Sequence, residues 1–390
     1  MRPLVTSIES STFPLVFKSK LDNLGQVTNS SANGLVKIRT LARPLAGMQK
    51  EALIQHGPTG TVWRMVSDEG PWLNGTDLAP FPLAFFTAGL ASSFMSGFLD
   101  EARDRDVQVD SVKIEQDNIF TMEGSALRGT MAAAAQAVQL TFSARSSASA
   151  ADLQNIAESA VQNRSVAEAC LDSALASEFV VRANNAELVW PGAPAIGFGA
   201  LADPATIFER IHPTSTEQLT IIHKLRSLEK TDSDAVGLKA EQKRIVHVHS
   251  NCKIREDGLK SIRVQCIQPA GSCFEMLADK VRVTAGQERA PSGLAYLSAG
   301  IAFCFMTQLA RYAQITKQKL GGYRIIQDTS FRLPQNCHPG ADAVKTLVYL
   351  DTAEGPEKSI QLVRMAEKTC YVHASYRAAN MTRLKFRKEY

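Results

Sequence analysis

The chain states one pattern twice. Residues 86–95 read FTAGLASSFM and residues 297–306 read LSAGIAFCFM, in register at a shift of 211 positions. Ala88, Gly89, Ala91, Phe94 and Met95 fall on Ala299, Gly300, Ala302, Phe305 and Met306. The same register carries Ile114, Gln116, Asp117 and Phe120 onto Ile325, Gln327, Asp328 and Phe331. Two long matches at one offset describe a duplicated domain, because solenoid repeats have periods of only about 20–50 residues. The copies differ at one chemically telling position, where Ser93 stands against Cys304.

A chain of 390 residues leaves each copy enough length to bury its own core. Net charge is +4, with 43 basic and 39 acidic residues and no dense basic run, so neither a nucleic-acid nor a membrane partner is expected. The closest approach, Arg383, Lys385, Arg387 and Lys388, reads as a solvated terminal strand. No segment reads as a membrane span, and Glu9 interrupts the N-terminus, so no secretory signal is expected. Seven cysteines without regular spacing read as free thiols in a reducing compartment, which predicts a cytoplasmic protein.

The pattern predicts a Ser- and Asn-rich arm over 1–33, then strands near 34–40, 49–56 and 60–67. Pro80 and Pro82 open a helix that runs to about Arg103 and is apolar nearly all round, the mark of a central buried helix. Strands near 109–120 and 136–144 follow. Ser149 and Asp152 are spaced as a capping pair for a helix over 150–162, and a second helix starts near Ser165. Proline and glycine mark 184–200 as a connector. Residues 204–229 read as an amphipathic helix broken at Pro213, and the whole stretch 184–240 as a linker. The second copy, 241–390, repeats the order. It has strands near 244–249, 261–268 and 280–284, a buried helix over 292–318, strands near 322–331 and 344–351, helices near 357–367 and 371–380, and a last strand over 381–386.

This order, with a thiol well inside the long helix and another opening a late helix, resembles the OsmC/Ohr superfamily of organic hydroperoxide-resistance proteins. Ala299-Gly300-Ile301-Ala302-Phe303-Cys304-Phe305 matches its reactive-cysteine stretch. Cys370-Tyr371-Val372 matches its resolving-cysteine run without the proline. In the first copy both thiols are serines, Ser93 and Ser165. The resemblance implies an α+β fold of two tandem OsmC-like domains, 34–183 and 241–390. Each would be a curved antiparallel sheet on a long buried helix, and the pair would form an intramolecular pseudo-dimer. It also implies a peroxidatic Cys304, a resolving Cys370, a hydroperoxide or small apolar substrate and a dithiol reductant, with no cofactor and no metal. One departure stands out. The family's glutamate ten residues before the reactive cysteine is Leu294 here and Leu83 in the first copy.

Burial alone would raise the Cys304 pKa and leave it inert, so reactivity needs a cation, and Arg255 and Arg289 are the candidates. Cys370 at a helix start would meet unpaired backbone N–H groups and the helix dipole. His373 three residues on is an acid–base partner, half of a metal site or a helix-surface histidine. His247 and His249 share one strand face, and with Cys252 would be at most a weak metal set. Trp63, Trp72, Phe81, Phe85 and Phe86 read as core or as the wall of an apolar pocket. Three functions follow: a thiol peroxidase, a non-redox enzyme using Cys304 as nucleophile towards an acyl or electrophilic substrate, or a non-catalytic binder of apolar molecules.

Overall fold

The computed structural model describes residues 6–21, 24, 34–190, 198, 201–214, 219–227, 236–281, 288–334 and 338–389. The first half carries β1 (Val16–Lys18), β2 (Leu35–Pro44), β3 (Lys50–His56), β4 (Val62–Ser67), α1 (Pro82–Asp104), β5 (Ser111–Ser125), β6 (Ala132–Ala135), β7 (Gln139–Arg145), α2 (Ala150–Ser159), α3 (Val166–Asp172), β8 (Ser177–Ala183) and β9 (Ala186–Leu188). The second carries β10 (Ile222–Arg226), β11 (Glu241–Ile254), β12 (Lys260–Gln268), β13 (Cys273–Ala278), α4 (Gly293–Ile315), β14 (Leu320–Arg332), β15 (Gly340–Ala341), β16 (Val344–Thr352), α5 (Pro356–Thr369), α6 (Tyr371–Ala378) and β17 (Arg383–Glu389). The fold is α+β, with a similar order of strands and helices in the two halves.

Each sheet is built from both halves. One runs β1-β4-β3-β2-β14-β16-β8-β9, with β15 on β14. The other runs β10-β13-β12-β11-β5-β7-β17, with β6 on β5. Long antiparallel seams, β2 on β14 and β11 on β5, join the halves. Two late pairings are parallel, β8 on β16 and β17 on β7, so neither sheet is antiparallel throughout. The exchange carries β2 and β3 onto α4, while β11 and β12 rest on α1.

The duplicated Ala-Gly has a packing reason. α1 and α4 cross where their backbones nearly touch. A Cβ at Gly89 would lie 2.7 Å from the Leu297 backbone nitrogen, and one at Gly300 would lie 2.6 Å from that of Phe86. Glycine alone fits such an approach. Ser149 and Ser292 accept hydrogen bonds from the backbone N–H of Asp152 and Ala295, capping α2 and α4 as N-caps do. Contrary to the sequence reading, both α1 and α4 are long and apolar enough to cross a membrane by length and composition. In this fold 83% and 94% of their most apolar windows are buried.

Three other expectations change. Residues 204–229 are not a broken amphipathic helix: Pro204–Arg210 forms a short 3-10 turn, and Ile222–Arg226 is an edge strand paired with β13. Residues 215–218, 228–235 and most of 191–200 lie outside the described residues. Leu219, Ile222 and Leu225 mimic helical spacing, but Ile222 is buried and pairs with Met276 while Leu225 stays exposed. The third strand of the second copy is Cys273–Ala278, not 280–284, and 282–284 fall outside the described residues. The N-terminal arm contributes β1, and its buried Phe17 joins Leu41, Leu53, Phe208 and Ile211 in a second apolar cluster over the outer face of the first sheet.

Candidate active site

Cys304 sits mid-helix on α4 and is 2% exposed; Cys370 is fully buried. Cys370 closes α5 and caps α6 in extended conformation, beside the first backbone N–H groups of that helix. The structure brings the two thiols close enough for their charges to interact, and both are free. Burial, and then Cys304 beside it, push the Cys370 thiol well above its ordinary range.

A buried cation beside Cys304 comes from the other half of the chain. Lys50, the first residue of β3, is fully buried, donates to the Met48 carbonyl at 2.5 Å, and is close enough to Cys304 for their charges to interact. Its Nζ lies 4.0 Å from Oε1 of Glu69, just past the end of β4. That oxygen accepts a 2.6 Å hydrogen bond from Thr307, one turn beyond Cys304. Burial draws Lys50 down and Glu69 up, and each partner's charge opposes the shift of the other. Asp68 anchors the turn by accepting from the backbone N–H groups of Glu69, Thr76 and Leu78. Glu69, Trp72, Phe81, Arg244, Cys304 and Tyr371 are among the residues enclosing a cavity of about 30 Å³, room for roughly one water molecule.

Arg255 and Arg289 are elsewhere. Arg255 pairs with Asp257 at 3.2 Å, and Arg289 donates to the Asp257 carbonyl at 2.8 Å, on the exposed turn between β11 and β12. That turn belongs to the sheet resting on α1, so strand exchange removes both arginines from Cys304. Lys50 and Glu69 were missed for the same reason. One clue was available: Lys50 and Lys260 open corresponding strands, facing Ser67 and Ala278 in the ladders. Two residues beyond those ladder partners, Glu69 falls on Lys280, so the two sites differ in charge at that position.

The first half keeps the geometry with oxygen in place of sulfur. Ser93 and Ser165 hydroxyls are 3.3 Å apart, and they accept from the backbone N–H groups of Ala167 and Glu168 at 3.1 and 3.2 Å. Cys170 lies off this pair, and burial pushes it up to about 12. His373 is neither a surface residue nor paired with a thiol. Its ring packs on Phe179 and Phe305, neither nitrogen has a hydrogen-bond partner among the described residues, and burial pushes it down to about 3. His247 and His249 share Asp117 Oδ1 at 2.7 and 2.9 Å, while Cys252 is buried on the opposite face of β11. No set of three metal-ligating residues occurs among the described residues. Trp72 and Phe81 wall the Cys304 cavity; Trp63, Phe85 and Phe86 are core. Cys337 lies outside the described residues.

Residues 286–385 match the family model for OsmC-like protein. A crystal structure of an OsmC-like hydroperoxide resistance protein from Jannaschia sp. CCS1 is similar at 20% identity over 32% of this chain and 81% of that one, with a TM-score of 0.20. No curated protein matches the chain. The family match takes in α4, β14, β15, β16, α5 and α6 and includes both Cys304 and Cys370. Over these residues, the second half of the chain is similar to OsmC-like protein.

Proposed function

We propose that the chain is a thiol peroxidase for organic hydroperoxides, with one working site assembled from both halves. The observation that carries this reading is the meeting of Cys304 and Cys370 beside the buried Lys50–Glu69 pair. Lys50, whose proton affinity burial lowers, accepts or stabilises the proton lost by Cys304 and so favours the thiolate. The thiolate attacks the distal oxygen of R–O–O–H. The O–O bond breaks, Cys304 becomes a sulfenic acid, and the alkoxide leaves and takes a proton to give R–OH. Cys370, held as a thiol, then attacks the sulfenic sulfur. A Cys304–Cys370 disulfide forms, water leaves, and an external dithiol returns both residues to thiols. The Ser93–Ser165 pair cannot enter this cycle, since a hydroxyl does not pass through a sulfenic acid.

The test is hydroperoxide consumption with a dithiol reductant. Cys304→Ser abolishes it, and Cys370→Ser accumulates a sulfenic acid trapped by a carbon nucleophile. Consumption by Cys304→Ser at the parental rate refutes the proposal. A parent that loses no thiols to hydroperoxide but is acylated at Cys304 by activated esters supports the non-redox nucleophile instead.

A further inference from the structure

One arginine in the wall of the Cys304 cavity, and a second that bonds the wall residue Gln308 from behind, are not used by this cycle. Arg244, at the start of β11, lines the cavity and donates from Nε to the Tyr371 hydroxyl at 3.0 Å. Arg311, two turns beyond Cys304 on α4, is 1% exposed. Its Nε donates to the Gly237 carbonyl at 2.5 Å, and its Nη1 to Oε1 of the cavity-lining Gln308 at 3.1 Å and to Met122 Sδ at 3.0 Å. Its Nη2 is buried with no acceptor among the described residues. Gly237 touches both arginines: a Cβ there would lie 2.6 Å from Arg244 Nη1. Among the described residues neither arginine has a carboxylate at ion-pair distance, whereas Lys50 has Glu69. Burial, and then the like charge of Arg244, push Arg311 down to about 9. Two neighbouring guanidinium groups, one desolvated with a free N–H edge, are unfavourable alone and are relieved by an anion.

We propose that Arg244 and Arg311, with the Tyr371 hydroxyl, form an anion subsite beside Cys304 that selects short hydroperoxides carrying a carboxylate. The carbon skeleton rests on Trp72, Leu73 and Phe81, which supply the apolar part of the wall. At about 30 Å³ the cavity must widen to admit even a short acid, which disfavours longer ones. Guanidinium groups bind carboxylates by charge-assisted, often paired, hydrogen bonds. The substrate class rests on the hydroperoxide reading above; the anion subsite does not.

The experiment compares 3-hydroperoxy-3-methylbutanoate with tert-amyl hydroperoxide, which has a methyl group in place of the carboxylate. It also measures binding of the unreactive 3-hydroxy-3-methylbutanoate to Cys304→Ser protein by calorimetry. The full chain is expected to favour the acid in kcat/KM by about tenfold or more, with Arg244→Gln and Arg311→Gln each bringing the ratio towards one. Both substitutions should weaken hydroxy-acid binding in the Cys304→Ser background by a similar factor. If Arg311→Gln fails to fold, the partly exposed Arg244→Gln decides. Consumption of both hydroperoxides without preference, and no arginine-dependent binding, overturns the subsite and leaves the peroxidase reading standing. Arginine-dependent binding without any hydroperoxide consumption supports the subsite and refutes the peroxidase reading.

Discussion

The carboxylate of Glu69, from the first half of the chain, accepts a 2.6 Å hydrogen bond from Thr307, one turn past Cys304 in the second. With Lys50, also from the first half, it forms a buried pair beside a cysteine of the second. The half that lost both thiols therefore still furnishes the charged groups beside the remaining ones.

Breaking that pair is expected to be costly. Lys50→Met leaves Glu69 buried without its cation and should lower unfolding stability by about 3–5 kcal/mol. The double variant Lys50→Met, Glu69→Gln should recover more than half of that loss, because no buried charge is stranded. Urea unfolding of the parent and both variants measures it, and a double variant no more stable than the single one would count against the pairing.

The helix crossing makes a second prediction. Gly89→Ala and Gly300→Ala each place a methyl group under 3 Å from the backbone of the facing helix, and each should cost about 1–3 kcal/mol. Gly355→Ala, with nothing within 4 Å, should stay within about 0.5 kcal/mol. Thermal melts that rank the three alike would refute the close approach.

The seam between β5 and β11 should respond to pH. The hydrogen bond from His249 holds Asp117 below its ordinary value of 3.8, and the same bond holds His249 above 6.5. The Asp117 share is present above 3.8 and is lost as pH falls through its lowered pKa. The His249 share is full below 6.5 and is lost as pH rises through its raised pKa. Asp117→Asn should therefore be most destabilising between these values, by less than about 1 kcal/mol since both groups are partly exposed. A destabilisation independent of pH would exclude the ion pair. At the other seam Arg39 donates to Asp328 at 2.8 and 2.7 Å, and arginine does not titrate in this range.

The repeat, the two buried helices, the capping serines and the two thiols were legible because each is written in local spacing. Strand exchange was not. A duplicated sequence reads the same whether β2 closes on its own half or on β14, and only the long-range register of Arg39 with Asp328 and His249 with Asp117 distinguishes the two. That ambiguity drew attention to Arg255 and Arg289, which would approach Cys304 only if the second half kept its own strands on its own helix. Ladder partners place Lys260 opposite Lys50 at an offset one short of that of the helices. A search at fixed register therefore passes over the one lysine that matters.

The most direct test of the assembled site is the single-turnover rate at which one equivalent of organic hydroperoxide removes two thiols, mapped to Cys304 and Cys370, in the parent, Lys50→Met and Arg289→Met. Loss should slow at least about tenfold in Lys50→Met and stay at the parental rate in Arg289→Met. An unchanged rate in Lys50→Met, or a collapse in Arg289→Met, would contradict a thiol site whose cation is supplied by the opposite half of the chain.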